Sequence, residues 1–298
     1  MAMRLFMILL SFLHQLFDFP KRIWSLLLRK FGRDRIFSQD NSTSDSDSTR
    51  YTDFIQAVNA DSTLFKKFRT GYVYRQILEH VTYQQGMTYF EKLSARNKLN
   101  LATLPNKNLS LVGSPRTYHY QRLGFISPTM IRYEFVSQEI ERIFGPSIGN
   151  EIVEIGVGFG GQYAVLEKVF SLSRYTMFDL PEVMLLVRKV LSSAEVRIDK
   201  ILEGDINSPR VTDCDLVISN YAFSELPRDI QKQYLEGVMR VARRGYLTMN
   251  SGRTNQTGRS DGKYSLDELR TMLPPFEVFE EVPLTGGDNY VIVWGHQK

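Results

Sequence analysis

A chain of 298 residues, 43% hydrophobic and 23% charged, has material for one large domain with a full core, plus attachments. The formal charge of +4 is small and much of the basic excess lies before residue 36, so the body shows no surplus that would make nucleic acid a partner. One cysteine, Cys214, and four scattered histidines exclude an internal disulfide, a thiolate metal cluster and a paired-histidine metal site. A reducing compartment, the cytoplasm, fits best.

Residues 5–17, LFMILLSFLHQLF, are apolar but too short to span a bilayer, and Pro20-Lys21-Arg22 stops them. On a helical wheel Arg4, Ser11, Gln15 and Asp18 leave a wide apolar face. A second helix starts at Pro20, with Ile23, Trp24, Leu27, Leu28 and Phe31 on one side and Arg22, Arg29, Lys30 and Arg33 away from it. Residues 1–37 therefore predict amphipathic helices. Through residues 3–33 they suit the surface of an anionic membrane, placing the protein peripherally on its inner face. The plainer use of the same helices is to cover the protein's own core or a dimer interface. Residues 38–53, SQDNSTSDSDSTRYTD, are Ser- and Asp-rich without apolar periodicity and read as a flexible linker.

Residues 54–145 predict a helical cap, a substrate region beside the sheet. Tyr72–Val81, Gly86–Leu93 and Pro128–Phe144 carry apolar residues at helical spacing. Leu101–Gly124 is richer in Pro, Gly, Asn and aromatic residues and holds Tyr118-His119-Tyr120. His80, three residues after Ile77, reads as a packed helix residue.

Residues 146–298 alternate strand and helix. Strands are expected at Ile152–Ile155, Tyr175–Phe178, Val196–Leu202, Asp215–Ser219 and Tyr246–Met249. Helices are expected at Gly161–Phe170, Pro181–Leu191 and Arg228–Val241. A polar loop, Asn250–Lys263, precedes a helix whose Ser265 and Glu268 form a capping box. Glu277–Val282 and Tyr290–Trp294 form a hairpin. The fold class is α/β: a Rossmann-like three-layer α/β/α sheet of five parallel strands plus a closing antiparallel hairpin, with an N-terminal helical cap.

A ligand in such a sheet sits beyond the carboxyl ends of the strands. Four stretches meet there. Gly156, Gly158 and Gly160 follow the first strand, where backbone can approach a ligand that a Cβ would repel. Asp179 ends the second strand, where a carboxylate can accept both hydroxyls of a ribose. Asp205, after the third, can receive the exocyclic amine of adenine. Asn220 and Tyr221 follow the fourth, at the reactive end of the ligand. Gly156, Gly158 and Gly161 also satisfy the dinucleotide fingerprint, so a nicotinamide-dependent oxidoreductase shares these features. A hairpin closing five parallel strands, with no second substrate domain after the sheet, argues against that reading.

EIVEIGVGFGGQ (Glu151–Gln162), FDLPEV (Phe178–Val183) and SNYAFSEL (Ser219–Leu226) resemble the class I S-adenosylmethionine-dependent methyltransferases. More narrowly the chain is similar to the bacterial sugar O-methyltransferase family, whose N-terminal signature resembles YRQILEHV with Gly86 and Tyr89, and GFISPTMIRY (Gly124–Tyr133). The resemblance runs from Phe54 onward and leaves residues 1–50 outside. It implies that S-adenosyl-L-methionine is carried by Glu154, Gly156, Gly158, Gly160, Asp179 and Asp205, with Leu180, Ile206 and Asn220 beside them. It also implies methyl transfer to a sugar or glycan precursor.

A sugar hydroxyl is a poor nucleophile while protonated, so a general base is expected. The candidates are Glu225 within SNYAFSEL and His119 between two tyrosines, with Asp261 a weaker third. Tyr221 is expected against the cationic methyl. Arg253 in the Asn250–Lys263 loop suits an acidic or phosphorylated sugar. The same fold could serve a lipid or other small-molecule acceptor, and a non-catalytic membrane-held assembly factor is the alternative of a different class. No metal ligand set is read, and oligomeric state is not legible.

Overall fold

The computed structural model describes residues 49–96, 107–253 and 262–296. The amphipathic helices of residues 1–37 with their membrane contact, the linker up to residue 48, and Asp261 lie outside the described residues. Among the described residues no helix is long and apolar enough to cross a membrane.

The chain opens on α1 (Thr49–Ala60), α2 (Ser62–Phe65), α3 (Tyr72–Ile77), α4 (Tyr83–Ala95) and α5 (Lys107–Leu111). The first of these corrects the linker's end. Tyr51, Ile55 and Val58 fall on one helical face and are buried, so Thr49–Asp53 is helix despite its polar surroundings. Helix α1 docks on the sheet domain: Asn59 Nδ2 donates to Glu182 O at 2.8 Å and Lys189 Nζ donates to Asn59 O at 3.0 Å.

A small hairpin follows, β1 (Tyr118–Tyr120) with β2 (Gly124–Ile126), and then α6 (Pro128–Phe144), which matches its predicted bounds. The hairpin was not expected in a helical cap. Arg122 and Gly124 both take positive φ, and this turn brings His119 opposite Phe125.

The rest is β3 (Glu151–Ile155), α7 (Gly161–Val169), β4 (Arg174–Phe178), α8 (Pro181–Ser193), β5 (Ile201–Glu203), β6 (Cys214–Asn220), α9 (Ala222–Glu225), α10 (Arg228–Tyr234), β7 (Ala242–Met249), α11 (Leu266–Met272), β8 (Phe276–Glu280) and β9 (Tyr290–Trp294). The seven strands lie in the order β5-β4-β3-β6-β7-β9-β8. The first five are parallel, and β9 runs antiparallel between β7 and β8. Strand β3 is central, with β4 and β6 leaving on opposite sides of it. That is the switch point at which an open sheet forms a crevice.

Two expected boundaries moved. Strand β5 is short because Glu195 takes φ 58° and Ile201 N donates to Ile198 O, turning the stretch expected as strand. The helix expected over Arg228–Val241 starts at Arg228 but is α-helical only to Tyr234 and ends in a π turn over Leu235–Met239, where a Cβ on Gly237 would stand 1.9 Å from Pro209 O.

Alternate residues of each strand enter different cores. Ile152, Tyr175, Ile218, Tyr246 and Val293 face α1, α4, α6, α7 and α8, while Val153, Ile155, Val217, Leu247 and Ile292 face α10 and α11. The N-terminal helices thus share one core with the sheet.

A buried ion pair fixes this union. Arg69 is 1% exposed; its Nε donates to Glu79 Oε1 at 2.5 Å and its Nη2 to Ser127 Oγ at 3.2 Å. Glu79 Oε2 also accepts from Thr129 Oγ1 at 3.1 Å. The guanidinium lies 4.3 Å from the ring centre of Phe159, in the loop after β3. Arg69→Met strands the Glu79 charge and should lower unfolding free energy by about 3–5 kcal/mol. Adding Glu79→Leu should recover much of that loss, both changes being read as urea midpoints.

Candidate functional site

The site grows from the turn after β3. Gly156 takes φ 76° and donates its N–H to Phe178 O at 2.9 Å. Val157 N donates to Asp179 Oδ2 at 2.7 Å and Leu180 N to Asp179 Oδ1 at 2.8 Å, so one carboxylate at the end of β4 ties the turn down.

The three glycines serve different ends. A Cβ at Gly156 would sit 2.0 Å from Ala222 Cβ, and one at Gly160 would sit 3.0 Å from Val187 Cγ1. Both places are filled by the protein itself. At Gly158 a Cβ would meet Leu78 Cδ2 at 3.6 Å and Tyr133 Oη at 3.7 Å, ordinary contact distances.

Glu154 is 1% exposed, and Tyr175 Oη donates to its Oε2 at 2.8 Å. Burial, and then the charge of Asp179, push its carboxyl up to about 8. A cation placed nearby would favour the ionised form and reverse that shift. Across the crevice, Asn220 ends β6 with a buried Nδ2 that has no partner among the described residues, while its Oδ1 accepts from Thr248 Oγ1 at 3.4 Å. An unmatched buried donor costs about 1–3 kcal/mol, which an acceptor on a ligand would offset.

Tyr221 holds φ 71°, a strained conformation for a residue with a Cβ. Its N–H donates to Thr248 O at 2.8 Å, and its hydroxyl hydrogen-bonds the Glu281 carboxylate. The Arg132 guanidinium lies 4.5 Å from its ring centre, and the His80 ring is 6.3 Å away. One face of this ring is therefore already occupied by a cation. Glu225 is half-buried, and Asn250 Nδ2 donates to its Oε1 at 2.7 Å.

The remaining predicted residues are placed less centrally. Leu180 is half-buried just before α8. Asp205 is exposed and accepts the Asn207 N–H at 2.9 Å, and Ile206 packs on the second core. His119 stands exposed on β1 with its ring 5.4 Å from Phe125, and among the described residues no hydrogen bond links it to the strand ends. Arg253 pairs with Glu280, so it is not waiting for an acidic sugar. Among the described residues no group of three or more His, Cys, Asp or Glu gathers to hold a metal.

Sequence reasoning missed several members. Arg132 shows in the sequence as a lone cation within an apolar helical period. Tyr175 follows from the pairing Ile152↔Tyr175, which puts it on the Glu154 face one step away. His80 lies just past α3 rather than inside it, with Nδ1 donating to Ile77 O at 3.2 Å. Glu281 and Asn250 gave no local signal.

No protein-family model matches the chain, and no curated protein does. Solved structures do match. The pyocyanin biosynthetic protein PhzM is 16% identical over 57% of this chain, with a TM-score of 0.41. A SAM-dependent methyltransferase from Aquifex aeolicus is 17% identical over 53% of this chain and 87% of its own length, with a TM-score of 0.39. The glycopeptide N-methyltransferase MtfA, complexed with sinefungin, is 12% identical over 54% of this chain and 84% of its own, with a TM-score of 0.39. The match spans 57% of PhzM's length. Likeness at this level carries no argument about chemistry.

The two kinds of glycine separate by stability. Gly156→Ala should cost about 3 kcal/mol or more, from strain at φ 76° plus the collision with Ala222. Gly158→Ala meets only ordinary contacts and should cost about 1 kcal/mol. Thermal and urea unfolding of both variants tests the contrast.

Proposed function

We propose that this chain is an S-adenosyl-L-methionine-dependent O-methyltransferase that methylates a sugar hydroxyl of a glycan or glycan precursor. The observation that carries it is the convergence at the switch point of the Gly158 turn, the Asp179 and Glu154 carboxylates and Asn220 with its unmatched buried donor. These groups suit a ligand with hydroxyls, a cationic end and an acceptor atom. The sugar as acceptor rests on the sequence resemblance over residues 72–93 and 124–133.

Bound there, S-adenosylmethionine supplies an electrophilic methyl group on a sulfonium. Gly158, Asp179, Leu180, Asp205, Ile206 and Asn220 would hold it, and Glu154 would answer its positive charge. The chain's own task is then to position the acceptor and take its proton. Glu225 is the acceptor of that proton: Asn250 orients its carboxylate, and Ser224 Oγ lies 2.7 Å from Asn250 Oδ1 to steady the amide. Tyr221, fixed by Thr248, Glu281 and Arg132, is a rigid wall of the site. His119 has no part in this step. Contact with a membrane surface through residues 3–33 belongs to the same proposal and would bring the site near lipid-linked precursors.

Calorimetry with S-adenosylhomocysteine is the first test, and a folded chain that takes up none of it ends the proposal. A second expectation concerns pH. The Glu154 carboxyl titrates at about 8 without ligand, and a nearby cation lowers that value. Binding of S-adenosylmethionine should then release a proton at neutral pH, and affinity should rise between pH 6 and 8 by up to about tenfold per unit. Titrations in two buffers of different ionisation enthalpy measure this. Glu225→Gln should lower kcat about a hundredfold or more while leaving S-adenosylhomocysteine affinity near that of the parent. Unchanged turnover would remove Glu225 from the mechanism.

A further inference from the structure

A second hollow lies beside the crevice, on the sheet face covered by α4 and α6. Tyr246 and Thr248 of β7 stand level with Val293 and Val291 of β9 and form its floor. Tyr89 and Phe135 supply an aromatic wall, their ring centres 5.0 Å apart. The volume is about 280 Å³, the size suited to a monosaccharide-sized group rather than an extended ligand.

Most of the charged groups around it already have close partners. Glu139 is paired with both Arg96 and Arg142 at the outer rim. Glu280 is paired with Arg253, which lies outside the hollow. Glu281 is saturated by the Tyr221 hydroxyl, Thr285 N at 2.8 Å, Thr285 Oγ1 at 2.7 Å and Asn289 Nδ2 at 2.9 Å. That leaves Arg132 at the inner end, 7% exposed, without an ion pair and with an Nη2 that has no hydrogen-bond partner among the described residues. Its contact with the Tyr221 ring and the charge of Glu281 offset part of the cost of burying a guanidinium. A planar anion would offset the rest, because Arg presents paired N–H donors to carboxylate or phosphate.

We propose that this hollow is an anion-selective sugar subsite, in which the Arg132 guanidinium takes the carboxylate or phosphate of an acidic sugar while Tyr89, Phe135 and Tyr246 line the ring. That the occupant is the methyl acceptor rests on the function proposed above. That the hollow binds an acidic sugar does not. Since Arg132 also lies on Tyr221, occupancy is felt at the wall of the crevice.

The test uses the full chain and three probes: glucuronate, glucose 1-phosphate and glucose. At low salt the parent protein should bind one or both anionic sugars at least tenfold more tightly than glucose, and the favoured one distinguishes carboxylate from phosphate. Arg132→Gln should abolish that preference and Arg132→Lys should keep part of it, with the near-ultraviolet circular dichroism of both variants matching the parent to show that the fold is kept. Equal binding of all three sugars by the parent overturns the subsite without recourse to any variant. An unchanged preference in Arg132→Gln overturns the role of Arg132. Uptake of S-adenosylhomocysteine with no preference among the sugars leaves methyl transfer standing and removes the subsite. The reverse result keeps the subsite and removes methyl transfer.

Discussion

The contact on which the architecture turns is the Arg69 guanidinium laid on the ring of Phe159, with Glu79 closing the charge. Phe159 belongs to the glycine turn, while Arg69 and Glu79 belong to the N-terminal helices. A pair buried this deeply is poor value as a source of stability, since two apolar residues would pack as well. Its worth lies in direction. A guanidinium has a fixed set of donors, and satisfying them at Glu79, Ser127 and Val112 O locates three separate segments over one turn of chain. Leu78 and Tyr133, the neighbours of Gly158, stand in or next to those segments.

The second constraint is the polar arrangement around Tyr221. A strained backbone, a hydroxyl committed to Glu281 and a cation over the ring make this side chain immobile. Strain of that order persists only where surrounding contacts over-determine it. Arg132 lies on this ring and also lines the hollow under α6, so it steadies the ring and has a donor to spare.

Much of this was legible before any coordinates. The run from Glu151 to Gln162 declares a buried strand, a turn and a helix through β-branched residues and glycines alone, and Asp179 and Asn220 do fall at the ends of neighbouring strands. What could not be read was who meets whom. Spacing gives no hint that Ala222 occupies the place of a Gly156 side chain, that Asn250 would hold Glu225, or that Glu281 would gather donors from three residues. Local composition also misled: the polar run before Tyr51 hides a helix whose apolar residues begin only there, and the Tyr118–Tyr120 stretch gave no strand signal because a two-stranded ribbon this short needs only its turn. Arg132 was overlooked, and His80 was assigned to packing alone, for one shared reason. Each lies in or next to a helical period, which assigns a residue to packing without saying what it packs against.

The interlock of Gly156 with Ala222 joins the first and fourth parallel strands through a single methyl group. Two stretches far apart in the chain thereby share one small volume, and neither can change its side chain alone. A relative that placed alanine after its central strand would have to surrender the methyl opposite and carry glycine there. The two motifs are thus one unit, bound to vary together or to stand still.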